Sequence, residues 1–146
     1  MKIEFGSGKL PTAGYTHIDI NPDLKPDVVG DFRKMSFKDV EEIRAMHLLE
    51  HFGREESINV LSLWHSWLKD DGLLIVETPD FEEICLHFLK EGGYWADKSW
   101  MVRHAYGSQE AEWAFHRDGW YEEKFRKLLP SLGFEILIVK KKHSYV

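Results

Sequence analysis

Short runs rich in β-branched and aromatic residues alternate along this chain with stretches of helical spacing, and that alternation narrows the fold more than any other feature. Residues 2–6 form the first strand-like run, and Gly6-Ser7-Gly8 ends it with backbone free to turn sharply. Residues 15–20 form the second and close at Asn21-Pro22, and residues 27–31 are a brief third. Residues 43–49 read as a fourth strand, although their weak alternation leaves a helix open. Val60, Leu61, Trp64, Trp67 and Leu68 then recur three and four apart, which is helix spacing. Asp71-Gly72 breaks that helix, and Leu73-Leu74-Ile75-Val76 reads as a strand buried on both faces.

Asp80, with Glu83 three residues on, is a capping signal, and Phe81, Ile84, Cys85 and Phe88 make one helical stripe expected in the core. Residues 89–119 show no clear period, yet they hold Trp95, Trp100, Tyr106, Trp113 and Phe115. Aperiodic stretches of this length are usually functional or partly helical. Residues 121–129 are helical, Leu132-Gly133 is a stop, and residues 134–139 form a strong final strand. The whole pattern predicts an α/β fold with a mostly parallel sheet, and 146 residues make about one domain.

Composition removes several function classes. With 43% hydrophobic and 30% charged residues the chain is expected to be globular and soluble, and no apolar run approaches the ~18 residues of a membrane span. A strand-like start without a signal peptide predicts a cytoplasmic protein. Cys85 is the single cysteine, which excludes an internal disulfide framework and a thiolate zinc cluster. Nineteen Lys+Arg against 25 Asp+Glu give a net charge of −6, which argues against a large nucleic-acid surface. Lys140, Lys141 and Lys142 read as a solvated strand end.

In open α/β sheets a ligand binds beyond the carboxyl ends of the strands. Those ends carry Gly6-Ser7-Gly8, Asp19 and Asp31 in succession. Glycines let a ligand approach the main chain, a carboxylate at Asp19 accepts from both hydroxyls of a ribose, and Asp31 either takes an adenine amine or caps the segment after it. Only residues 9–15 separate the glycine turn from the second strand, whereas a crossover helix needs at least ~10 residues. The helix N-terminus that would cradle a pyrophosphate is therefore expected to be absent. That disfavours NAD, FAD and ATP together and favours a nucleoside without phosphate.

These residues resemble the class I S-adenosylmethionine-dependent methyltransferases, in particular a compact group of predicted bacterial and viral members. The resemblance runs through Glu4-Phe5-Gly6-Ser7-Gly8, His17-Ile18-Asp19-Ile20-Asn21-Pro22, Asp27-Val28-Val29-Gly30-Asp31, Leu48-Leu49-Glu50-His51-Phe52, Leu68-Lys69-Asp70-Asp71-Gly72-Leu73-Leu74 and Pro79-Asp80. It continues in Tyr106-Gly107-Ser108-Gln109, Phe115-His116-Arg117 and Leu132-Gly133-Phe134. It implies a doubly wound Rossmann-like sheet with a reduced first crossover helix, S-adenosyl-L-methionine as cofactor and S-adenosyl-L-homocysteine as its product. By that likeness Glu4, Phe5, Gly6, Ser7 and Gly8 lie beside the methionine part, Asp19 and Ile20 hold the ribose, Asp31 and Phe32 meet the adenine, and Met46, His47 and Leu48 hold the amino acid end. Two departures stand out: the first crossover helix is missing, and the usual antiparallel seventh strand has no obvious turn between Phe134 and Val146.

Methyl transfer asks of the protein alignment, a dry cavity and removal of a proton from the acceptor. A histidine suits that proton step near neutral pH. His51, expected past the fourth strand, is the first candidate; its bland alternative is a cap of the strand-to-helix turn. His104, Tyr106, Gln109 and His116 are the candidates for binding a small-molecule or sugar acceptor, with surface or helix-cap histidines as the plain alternative, while Trp113 is more simply an aromatic core residue. His47-x-x-Glu50-His51 also matches an inverted zinc-protease pattern, but that chemistry wants a helix and a third ligand that nothing identifies. Some methyltransferases of this fold hold a divalent metal through a related Glu-x-x-Glu-His motif, so metal-assisted methylation stays open. A non-catalytic binding module of the same fold is the alternative to an enzyme.

Overall fold

A computed structural model of the chain describes residues 1–90 and 98–142. The chain divides into two compact units, Met1–Thr78 and Pro79–Val146. Trp95 lies outside the described residues, as does the end of the C-terminal segment beyond residue 142.

The first unit is a five-stranded sheet, parallel at every pairing, in the order β3-β2-β1-β4-β5. Its strands are β1 (Lys2–Phe5), β2 (Thr16–Asp19), β3 (Val28–Val29), β4 (Val40–Met46) and β5 (Leu68–Glu77). β1 sits in the middle, and Ile3, Glu4 and Phe5 are all buried. β2 joins β1 through residues 6–15 with no helix, as the short spacing predicts. β2 to β3 and β3 to β4 run through single 3-10 turns, Pro22–Leu24 and Phe32–Lys34. Only the step from β4 to β5 is an α-helical crossover, α1 (Arg54–Trp67).

α1 buries Ser57, Val60, Leu61, Trp64 and Trp67; the last four are on the face that the three-and-four spacing predicts, while Leu68, expected on the same stripe, begins β5. Its start is held by Glu56, whose carboxylate accepts from the Gly53 N–H at 3.4 Å. Phe5 and Trp64 stack with ring centroids 5.7 Å apart and planes 3° from parallel, and Phe32, Phe37, Phe52 and Trp67 pack around them. This aromatic cluster is the centre of the unit's core. β5 starts at Leu68, earlier than expected, and reaches its regular register with β4 only from Leu73, after an irregular stretch between Val40 and Glu42. Among the described residues β5 is an edge strand with one side unpaired, and Leu73 is exposed while Leu74, Ile75 and Val76 are half-buried, so burial on both faces does not occur.

The second unit contains α2 (Phe81–Leu89), α3 (Lys98–Tyr106) and α4 (Glu122–Ser131). Asp80 caps α2 by accepting from the N–H groups of Glu82 and Glu83, as its sequence position predicts. Of the expected stripe on α2 only Ile84 is buried; Phe81, Cys85 and Phe88 are exposed. The aperiodic segment contains α3, so it is partly helical. Residues 134–139 form no strand among the described residues, and Leu137 and Ile138 are exposed. Their β-branched sequence carries strand propensity, but a strand exists only where a neighbour supplies the ladder. No helix among the described residues is long and apolar enough to cross a membrane.

Candidate functional site

The carboxyl edge of β1, β2 and β4 brings the proposed nucleoside residues together. Gly6 and Gly8 both hold positive φ, at 63° and 59°, a region that side chains rarely enter. Gly6 N–H donates to Ile18 C=O and Gly8 N–H donates to Asp19 Oδ2 at 3.2 Å, which ties the turn after β1 to the end of β2. Asp19 Oδ1 accepts from Asn21 N–H at 2.9 Å. The Asp19 carboxylate is buried, and each oxygen keeps a lone pair beyond those two contacts. From the segment just past β4, Leu48 closes in so tightly that a Cβ on Gly6 would lie 3.0 Å from its Cδ1. A Cβ on Gly8 would meet nothing nearer than Gly6 C=O at 4.0 Å, so that flank of the turn is open to other atoms. A phosphate-free nucleoside fits this donor and acceptor set. Ser7 is half-buried between the two glycines, and Ile20, just past Asp19, is exposed.

Below this edge Glu4 is buried in a polar network that sequence spacing does not reveal. Its two oxygens accept from the backbone N–H and the hydroxyl of Thr12, both at 2.7 Å, and Arg44 Nε lies 3.2 Å away. His17 reaches the same group: Nε2 lies 3.4 Å from Glu4 and 2.7 Å from Thr12 C=O, and Nδ1 lies 3.1 Å from Asp27. The side chain of Glu4 thus anchors the helix-free connection of residues 6–15. Phe5 and Phe32 place their rings in the aromatic core, which leaves their main chain for any ligand. Asp31 caps the 3-10 turn after β3, accepting from Arg33 N–H, and pairs with the Arg33 guanidinium, which holds its carboxyl below the usual range. That is the capping role weighed for it from the sequence.

β4 ends at Met46, half-buried and in register with Glu77 of β5. His47 follows with φ at +54°, and Leu49–His51 is a 3-10 turn. The motif His47-x-x-Glu50-His51 is therefore not on an α-helix, and the shared helical face that a zinc-protease reading requires is not formed. The His47 N–H donates to Glu77 C=O at 2.7 Å. Its ring lies between Nδ1–Glu50 at 3.5 Å and Nε2–Glu77 at 3.1 Å, and the Glu50 carboxylate foremost, with Glu77, raises His47 above its ordinary 6.5 against partial burial. His51 is half-buried at the end of the turn, its N–H donating to Leu48 C=O at 3.1 Å.

No protein-family model and no curated protein matches this chain. The geometry of the site carries the functional reading.

In the second unit the remaining candidates sit around α3. His104 is half-buried and its Nδ1 lies 2.8 Å from Trp100 C=O; Tyr106 ends the helix with its ring exposed. Gln109 is exposed at φ +59°. His116 Nδ1 lies 2.8 Å from His104 C=O, and since a carbonyl only accepts, Nδ1 carries the proton. Trp113, read as aromatic core, is exposed. Thr12, Arg44 and Glu77 were not singled out from sequence: each matters through a partner distant in the chain, and no local pattern signals it.

Proposed function

We propose that this chain is an S-adenosyl-L-methionine-dependent methyltransferase of doubly wound, Rossmann-like type that acts in the cytoplasm on a small-molecule or sugar acceptor. The observation that carries the reading is the glycine edge: two positive-φ glycines and a buried Asp19 joined by the Gly8–Asp19 hydrogen bond, on a β1–β2 connection with no helix. Such an edge offers hydroxyl acceptors and close main-chain approach, and it lacks the helix N-terminus that a pyrophosphate would use.

Asp19 is assigned to the ribose hydroxyls, the main chain at Gly6, Ser7 and Gly8 to the methionine part, and residues 46–48 to its amino acid end. The bound cofactor would supply an activated methyl group. His51 is assigned the removal of the acceptor's proton, a task for which an imidazole is suited at neutral pH. His104, Tyr106, Gln109 and His116 are proposed as acceptor-binding residues from their residue types in the aperiodic segment.

Calorimetry with S-adenosyl-L-homocysteine tests this reading. Binding is expected for the wild type, and Asp19→Ala is expected to weaken it roughly a hundredfold, the scale of two hydrogen bonds to a charged group. Tight uptake of a dinucleotide with no response to the homocysteine product would overturn it. Transfer of a labelled methyl group to a metabolite or glycan panel separates an enzyme from a module that binds without turnover.

A further inference from the structure

The turn that ends β4 contains a buried group that the proposed reaction does not use. Glu50 is 2% exposed, and neither of its carboxylate oxygens has a hydrogen-bond partner among the described residues. An unsatisfied buried charge is costly, and two imidazoles stand near it: the His47 ring as an ion-pair neighbour, and a ring nitrogen of His51 within 4.8 Å. The His47 ring is gripped from both sides, by Glu50 at Nδ1 and by Glu77 at Nε2. A carboxylate accepts only, and a neutral imidazole has one bare nitrogen. Whichever nitrogen were bare would aim its lone pair at an anion, so both carry protons. Glu50, from the 3-10 turn, and Glu77, from β5, are the charged groups that face the ring among the described residues.

We propose that Glu50 is a positioning residue acting through His47: the doubly protonated ring ties the end of β4 to the end of β5 and so holds Leu48 against Gly6. The lock stands on this geometry alone, and its effect on a ligand rests on the nucleoside reading of the same edge. Its pH dependence has one sign. His47 titrates above its ordinary 6.5 in the folded chain, so the lock is complete below that value and is lost as pH rises through the higher, folded-state midpoint. Beyond that midpoint Glu50 loses the charge of the His47 ring.

Long-range proton–nitrogen spectra of the histidine rings test the lock on the full chain without ligand. His47 is expected to be doubly protonated at neutral pH, with the amide signals of Gly6 and Leu48 following its midpoint. Glu50→Gln and Glu77→Gln are each expected to lower that midpoint, and Glu77→Gln, which changes the more exposed carboxylate, serves if Glu50→Gln does not fold. An unchanged midpoint, or Gly6 and Leu48 signals that ignore it, would overturn the lock. Calorimetry with S-adenosyl-L-homocysteine is expected to show roughly tenfold weaker binding at about pH 9 than at about pH 6, and a flatter profile in Glu50→Gln. PH-independent wild-type binding would overturn the coupling to the site. No binding at either pH, with the ring titration as expected, would overturn the nucleoside reading and leave the lock in place.

Discussion

Two connections in the same sheet solve the same problem by opposite means. From β4 to β5 the chain crosses through α1, whose Trp64 and Trp67 fill the aromatic core, and apolar burial holds the crossover in place. From β1 to β2, also a parallel pair, no helix forms. There two buried carboxylates hold the chain: Glu4 grips Thr12 in the middle of the connection, Asp19 grips Gly8, and Arg44 and His17 close around Glu4. A polar tie leaves the main chain of the connection accessible, which an apolar helix would cover. The glycine edge is available for a ligand because it is pinned from below by hydrogen bonds.

Breaking the apolar crossover is expected to have the largest effect. Trp64→Ala removes a fully buried ring stacked on Phe5 and is expected to cost about 3–5 kcal/mol, read from the shift of a urea unfolding curve. A loss under about 1 kcal/mol would mean that the crossover does not depend on the aromatic cluster. Glu4→Gln tests the polar tie; it keeps the shape, removes the charge beside Arg44, and is expected to cost about 2 kcal/mol. Its signature is local, because the Thr12 amide should lose protection in hydrogen exchange while amides of α1 fall only with global stability. Equal loss in both places would abolish the distinction between the two connections.

Gly6→Ala is expected to have the smallest effect, about 1 kcal/mol or slightly more, because it puts a side chain at φ +63° and its Cβ against Leu48. Leu48→Ala in the same chain should return the part due to contact and leave the part due to backbone conformation, which a double-mutant cycle in urea would separate. If the second change returned nothing, the close approach of Leu48 to the glycine turn would have no energetic weight.

Elements that rest on local rules were legible in the residues. The face of α1, the Asp80 cap, the sharp turn at the glycines and the missing first helix all follow from spacing or from the chemistry of one short segment. Expectations that needed a partner were less secure. Residues 134–139 carry strand propensity without a ladder, three of the four residues in the α2 stripe are exposed, and Leu73 faces outward on an edge. Asp31 shows the same divide: a cap and a ligand contact call for the same residue, and only the position of Arg33 reveals the cap.

The order of residues by itself determined where this chain turns, where it can form helix, and which strand ends carry glycine or carboxylate, because those are properties of neighbours within a few positions. Only the tertiary structure decided what each carboxylate holds. Glu4 meets Thr12 and Arg44, Asp19 meets Gly8, and Glu50 and Glu77 meet His47 from opposite sides. Parallel pairing brings together residues far apart in the chain, and a charge takes its partner from whatever the register sets beside it.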